Sequence, residues 1–359
     1  MTLLSRRLLI VPLFLHAVSA CAQGQSPGPA IDAATRQQVI QATIRELNAQ
    51  YVFPEKAQQV EQALMKDWRA GAFDQATGAN AFADKMTEAI QAVTHDKHIR
   101  MRYSAQPLED RQADRAPTAS EREAYLRSEQ ARNFGLERVE RLPGNIGYID
   151  LRGFASADLA GEAIAAAMNL VAHAQALIID LRRNGGGDPA TVALMSSYLF
   201  PERTHLNDMY WREGKRTEQF WTQDWVPGKR FDAKKPVYVL TSRRTFSGAE
   251  EFSYNLKNLK RATLVGETTG GGAHPGDMVK VATHFQVFIP GGRAINPITK
   301  TNWEGTGVEP DVKVPADDAL RVAQVMALKP IVEQADDVDL KAALQTRLAE
   351  LERGAGKPQ

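Results

Sequence analysis

The 359-residue chain has one cysteine, Cys21, so no disulfide within the chain can brace it and packing must hold the fold. It has no long hydrophobic run. The apolar stretch Leu8 to Leu15 is far too short to span a bilayer as a helix. It has no excess of one charge: 44 Lys and Arg face 43 Asp and Glu, a net +1. That excludes the clustered basic surplus of a nucleic-acid binder. No Gly-Lys-Ser/Thr follows its glycine clusters, which argues against a phosphate loop. No group of His, Cys, Asp and Glu has metal-ligand spacing, so neither a metal nor a cofactor is expected. What is present is ordinary for a globular enzyme: 43% hydrophobic residues, enough for a sizeable core, and 24% charged ones.

The amino end is an address. Arg6 and Arg7, the apolar Leu8 to Leu15 and the small residues Ala17 to Ala22 follow the order of a secretory signal peptide, here residues 1–22. Val18-Ser19-Ala20-Cys21 resembles a bacterial lipobox, which would anchor the chain through a lipid on Cys21. Cleavage after Ala22 is the alternative, and both give an exported protein of the periplasm or outer envelope. Residues 23–30 are a Gly/Pro/Ser/Gln tether.

From residue 31 the periodicity is helical. Val39, Ile40, Ile44 and Leu47 form one stripe. Pro54 opens a second helix carrying Val60, Leu64 and Trp68, and Gly71 stops it. Phe82, Met86, Ile90 and Val93 mark a third. This helical domain, residues 31–103, ends in the turn Thr94-His95-Asp96-Lys97-His98 and an alternating strand. Residues 104–141 read as a charged connector, with Ser120 and Glu123 as a capping box for one helix. From Ile146 strands alternate with helices: Ile146–Leu151, Ala157–Ala172, Ala176–Leu181 and Pro189–Leu199. A polar, Trp-bearing excursion (207–231) precedes the apolar strand Pro236–Thr241. Repeated strand–helix units imply an α/β core.

The chain is organised around Thr245-Phe246-Ser247-Gly248-Ala249-Glu250-Glu251-Phe252. The strand before it and the stripe Phe252, Leu256, Leu259 after it put Ser247 where a strand turns into a helix. A hydroxyl there lies beside unpaired N–H groups that can stabilise an oxyanion. Serine is also a common helix cap, so capping is the competing reading. A hydroxyl nucleophile needs a base, and His95, His98 and His274 are available, whereas His173, His205 and His284 read as structural. Glu304 is a candidate third member. Gly185-Gly186-Gly187, between a buried strand and a helix, offers N–H donors or merely a tight turn.

These segments resemble the tail-specific (C-terminal processing) serine protease family, in the branch of interphotoreceptor retinoid-binding protein and tricorn-type core proteases. The resemblance covers residues 31 to about 315. It is carried by Asp96-Lys97-His98, by Asp180-Leu181-Arg182-Arg183-Asn184-Gly185-Gly186-Gly187 and by the Ser247 segment. Gly266-Glu267-Thr268, Gly271-Gly272-Ala273-His274-Pro275-Gly276 and Gly307-Val308-Glu309-Pro310-Asp311 continue it in the family's order. It implies a crotonase/ClpP-like α/β core with the N-terminal helical domain, a catalytic domain over 142–330, and a C-terminal helix and tail over 331–359. Residues 104–145 leave no room for the family's PDZ domain. Gly266 to Gly276 holds no lysine, so the family's Ser/Lys dyad does not map here. The tricorn-type set does: Ser247 as nucleophile, His98 as base, Glu304 orienting it, with Gly186 or Gly187 and Gly248 as the oxyanion hole. His274 is expected to position substrate or to be the alternative base. The implied activity is a serine-type peptidase working through an acyl-enzyme on Ser247, on peptide or protein substrates. It would touch a membrane only through a lipid on Cys21. A catalytically silent binding protein and a crotonase-type acyl-CoA enzyme are the readings from other classes.

Overall fold

The computed structural model describes residues 26–109 and 118–354; the expected signal peptide and lipobox lie outside the described residues. Three helices come first: α1 (Ala33–Gln50), α2 (Pro54–Arg69) and α3 (Ala79–Thr94), then strand β1 (Met101–Tyr103). Helix α4 (Ala119–Ala131) leads to β2 (Leu136–Leu142) and β3 (Ile146–Leu151). Next come α5 (Ala157–Val171), β4 (Ala176–Asp180), α6 (Pro189–Ser197), β5 (His205–Trp211) and β6 (Arg216–Trp221). They are followed by β7 (Val237–Thr241), α7 (Gly248–Asn258), β8 (Thr263–Gly266), β9 (Gly276–Ala282), β10 (Phe285–Pro290) and β11 (Gly292–Ile295). The last elements are β12 (Val312–Lys313), α8 (Ala316–Gln334) and α9 (Val338–Arg353).

The central sheet has six strands in the order β12-β8-β7-β4-β3-β2. Its strands run parallel except β2, which closes one edge antiparallel to β3. Parallel sheets are covered on both faces, which explains the continuous apolar runs of β4 and β7. Successive side chains alternate. Leu177, Ile179, Val237 and Val239 pack under α5, α6 and α7, while Ile178, Tyr238 and Leu240 face α8. Among the described residues no helix is long and apolar enough to cross a membrane.

Helices α1 to α3 do not close a core of their own. Val39, Leu47, Val60, Phe82 and Met86 share one with Val281, Phe285, Val287 and Ile289 of β9 and β10. Those two strands form a three-stranded sheet with β1. Three details differ from the sequence reading. The capping box of α4 is Thr118 with Glu121, not Ser120 with Glu123. The segment taken as a connector ends in β2, whose exposed, charged face hides its strand character. The polar excursion after residue 206 is largely the β5–β6 hairpin, paired through β5 to β11. One side of that hairpin is exposed, so its composition looks like a loop.

Phe82 is buried and meets Phe73 and Phe285 edge-on, at ring-centroid distances of 6.0 and 5.9 Å. Phe82→Ala is expected to cost about 3–5 kcal/mol of unfolding free energy in urea titrations. A loss below about 1 kcal/mol would mean that the joint between α3 and β10 is not where stability resides.

Candidate active site

The carboxyl ends of β3, β4 and β7 lie side by side, where open α/β sheets form their ligand crevice. Asn184, fully buried just beyond β4, ties all three together. Its Nδ2 donates to Leu151 O at 3.0 Å, its Oδ1 accepts from Gly186 N at 2.8 Å, and its own carbonyl accepts from Phe246 N at 3.0 Å. Thr245 Oγ1 donates to Leu181 O at 2.8 Å and Ser242 Oγ to Arg182 O at 2.5 Å. The loop into α7 is thereby pinned onto the glycine turn.

Ser247 has φ 53° and ψ −121°. A capping serine ordinarily has an extended backbone, so this left-handed conformation is a local strain of the kind found at functional sites. Gly186 allows the close approach. A Cβ there would stand 2.6 Å from Gly248 N and 2.7 Å from Ser247 Cβ. The N–H of Ser247 donates to Glu250 Oε2 at 2.9 Å. Glu250 also accepts from Gly272 N (2.8 Å), Gly271 N (2.6 Å) and Thr269 Oγ1 (2.5 Å). Burial pushes its pKa up, and these donors pull it back. The sequence marks Glu250 only as a first-turn acid. Its bridging role comes from residues some twenty positions downstream and has no local signal.

A cleft of about 590 Å³ opens here, lined among others by Lys97, His98, Gly187, Phe246, Ser247 and Gly248. Gly186 spends its N–H on Asn184, whereas the amides of Gly187 and Gly248 have no acceptor among the described residues. That leaves Gly187 and Gly248 as the free pair of donors, and Gly186 as the spacer. His98 is packed between Phe246 and Phe288, at ring-centroid distances of 4.6 and 5.7 Å. Neither of its ring nitrogens has a hydrogen-bond partner. Burial lowers its pKa to about 4, so the imidazole is neutral at ordinary pH.

The other predicted residues gather one layer behind. Asp96 Oδ1 accepts the backbone N–H of His98 at 3.0 Å and lies 3.8 Å from its Nδ1. Asp96 Oδ2 meets His274 Nδ1 at 2.7 Å and accepts from Tyr51 OH at 3.3 Å. Glu304 Oε2 lies 3.4 Å from His274 Nδ1 and accepts from Ala273 N at 2.6 Å. Burial, then the Asp96 charge, raises Glu304 to about 7. Two expectations therefore change. Glu304 lies against His274, while the carboxylate nearest His98 is Asp96. His274 is not at the cleft edge: it is 4% exposed and packs edge-on against Phe53. Its neighbours Ala273 and Pro275 face the cleft instead. Asp96, His274 and Glu304 hold donor atoms within 4.8 Å of one another, but their mutual bonds already account for the grouping as an ion-pair network. His95, the third candidate base, is the left-handed C-cap of α3.

Residues 145–314 match the family model of peptidase family S41, and residues 33–133 match the N-terminal domain of that family's members in eukaryotic interphotoreceptor retinoid-binding protein. The fold is similar to that of a protein from Parabacteroides merdae described as a candidate peptidase, with 18% identity and a TM-score of 0.56, over 82% of this chain and 96% of the other. It is also similar to a lipoprotein from Streptococcus agalactiae, with 15% identity and a TM-score of 0.51, over 81% and 96%.

Gly272 tests the arrangement sterically. A Cβ there would fall 2.2 Å from Phe246 Cζ and 2.6 Å from His98 Cε1. Gly272→Ala is expected to displace the imidazole and slow fluorophosphonate labelling of Ser247 by about 100-fold, of the order of losing a positioned base. The circular dichroism spectrum should not change. Labelling at the wild-type rate would show that His98 does not act on Ser247. Asp96→Asn should likewise slow labelling more than Glu304→Gln does; the reverse order would return the orienting role to Glu304.

Proposed function

Because the chain belongs to peptidase family S41 and is a serine-type peptidase, we propose that it hydrolyses peptides or proteins through an acyl-enzyme on Ser247, with His98 as base. The observation that carries this reading is one cleft shared by Ser247, the free amides of Gly187 and Gly248, and a neutral imidazole without a partner. Ser247 Oγ attacks the substrate carbonyl while His98 takes its proton. The oxyanion that forms is met by the two glycine amides, each worth on the order of 100-fold or more in turnover. His98 returns the proton to the leaving amine, and water then cleaves the ester with the same help. Asp96 holds the His98 backbone and faces its ring. His274 and Glu304 brace Asp96 from behind, as positioning residues.

Ser247→Ala and His98→Ala are each expected to reduce kcat on a peptide by several orders of magnitude, and the double variant by scarcely more, because members of one catalytic unit are not additive. An additive double variant, or near-normal kcat in His98→Ala, would remove His98 from the unit. The base must be neutral to act, so activity is kept above its folded pKa and lost below it. In the Glu304→Gln background, free of the carboxyl titrating near 7, the acid limb of kcat/KM should lie near pH 4. A limb near 6.5, the value of a solvated imidazole, would contradict the burial of His98.

The proposed location is the cell envelope, resting on the order of charged, apolar and small residues before Gln23. Cys21→Ala separates the two addresses. If Cys21 carries lipid, the variant shifts from the membrane fraction to the soluble one. An unprocessed chain in the cytoplasm would overturn export altogether.

A further inference from the structure

We propose that Glu251 forms the floor of a side-chain pocket that selects lysine or arginine at the residue immediately before the scissile bond. The proposal rests on the peptidase reading of Ser247. Glu251 stands four residues, about one helical turn or 5–6 Å, beyond Ser247 on α7. It lines the same cleft as Ser247 and Gly248, beside the carbonyl to be attacked. The neighbouring wall is apolar: Met209, Trp211 and Phe220 of the β5–β6 hairpin, with Trp303. Such walls suit the methylene stem of a long basic side chain.

Several buried polar atoms of α7 and β5 lack partners. Glu251 is 2% exposed, and its Oε1 has no hydrogen-bond partner. Asn207, fully buried beside it, has an unpartnered Oδ1. Asn255, one turn further along the same face of α7 and also fully buried, has both amide atoms unpartnered. Buried polar groups are normally satisfied. Here three free oxygens stand against two free nitrogens, the Asn255 Nδ2 and the Trp211 indole N–H on the wall. An ammonium brings three donors, a guanidinium five, and neither brings an acceptor. Burial raises Glu251 to about 8, against a hydrogen bond from Asn207 that lowers it and with the Asp188 charge adding to the rise. Burial thus favours the protonated acid in the empty pocket, and a cation beside it would favour the ionised form. The basic residues of the cleft, Lys97, Arg100 and Arg102, come from β1 and the turn before it, and Lys97 Nζ donates to Gly270 O at 2.5 Å. Asp277, the cleft's other carboxylate, is exposed and already solvated.

The test uses internally quenched peptides identical except for Lys, Arg, Leu or Met before the cleaved bond. With the wild-type protein, kcat/KM for Lys and Arg should exceed that for Leu by about tenfold or more. In Glu251→Gln, a near-isosteric change, the Lys-to-Leu ratio should fall at least tenfold. Equal cleavage of the four peptides, or an unchanged ratio in the variant, would overturn the proposal. Calorimetry with benzamidinium chloride gives a second reading that needs no turnover. It should bind wild type and Ser247→Ala alike and lose affinity at least tenfold in Glu251→Gln; no binding to the natively folded wild type would also overturn the proposal. If fluorophosphonate fails to label natively folded protein, the peptidase reading falls separately, and benzamidinium binding still decides whether Glu251 receives a cation.

Discussion

The Glu250 carboxylate is shared by four donors, and much of the site depends on that sharing. One oxygen takes the amides of Ser247 and Gly272, and the other takes Gly271 and the Thr269 hydroxyl. A buried carboxylate with fewer partners would lift its pKa and take up a proton. With all four it holds the strained serine turn against the glycine loop, and that loop carries Ala273 and His274 into the network around Asp96. Trp303 completes the connection, its indole N–H donating to Gly272 O at 2.6 Å. Nucleophile, loop and base-bearing turn are thus three segments distant in sequence, held together by hydrogen bonds.

Regular elements were the readable part. The apolar strands β4 and β7, the glycine turn after β4 and the helix start at Ser247 all follow from local pattern, because both faces of a parallel sheet bury the same kinds of residue. Ser247, Gly187 and Gly248 reach one cleft for that reason, and His98 joins them there from the turn before β1. Elements with one wet face were harder. The β5–β6 hairpin and edge strand β2 alternate apolar with charged residues too irregularly to stand out. The pairing of acids with histidines was not readable at all. Asp96 and His274 are 178 positions apart, and which of Asp96 or Glu304 faces His98 depends on tertiary packing, in which Tyr51 bonds Asp96 and Phe53 packs on His274. The Glu251 floor escaped notice for a related reason. An acid in the first turn of a helix has a sufficient electrostatic explanation in the macrodipole, and only its burial makes it unusual.

The shared core of α1 to α3 with β9 and β10 also sets an order of events. Met101 pairs with Val287, Phe288 stacks on His98, and Phe285 fills the gap beneath Phe82. The proposed base is therefore placed by chain that lies almost 190 residues beyond it. Contacts of such sequence separation are closed late, since the entropy of a large loop must be overcome before they form. A chain made only as far as β8 has the serine strand and the helices before it but not the strand that seats the imidazole. On the proposed mechanism this delay is a topological safety catch: the hydroxyl stays unassisted until the chain has folded through β10.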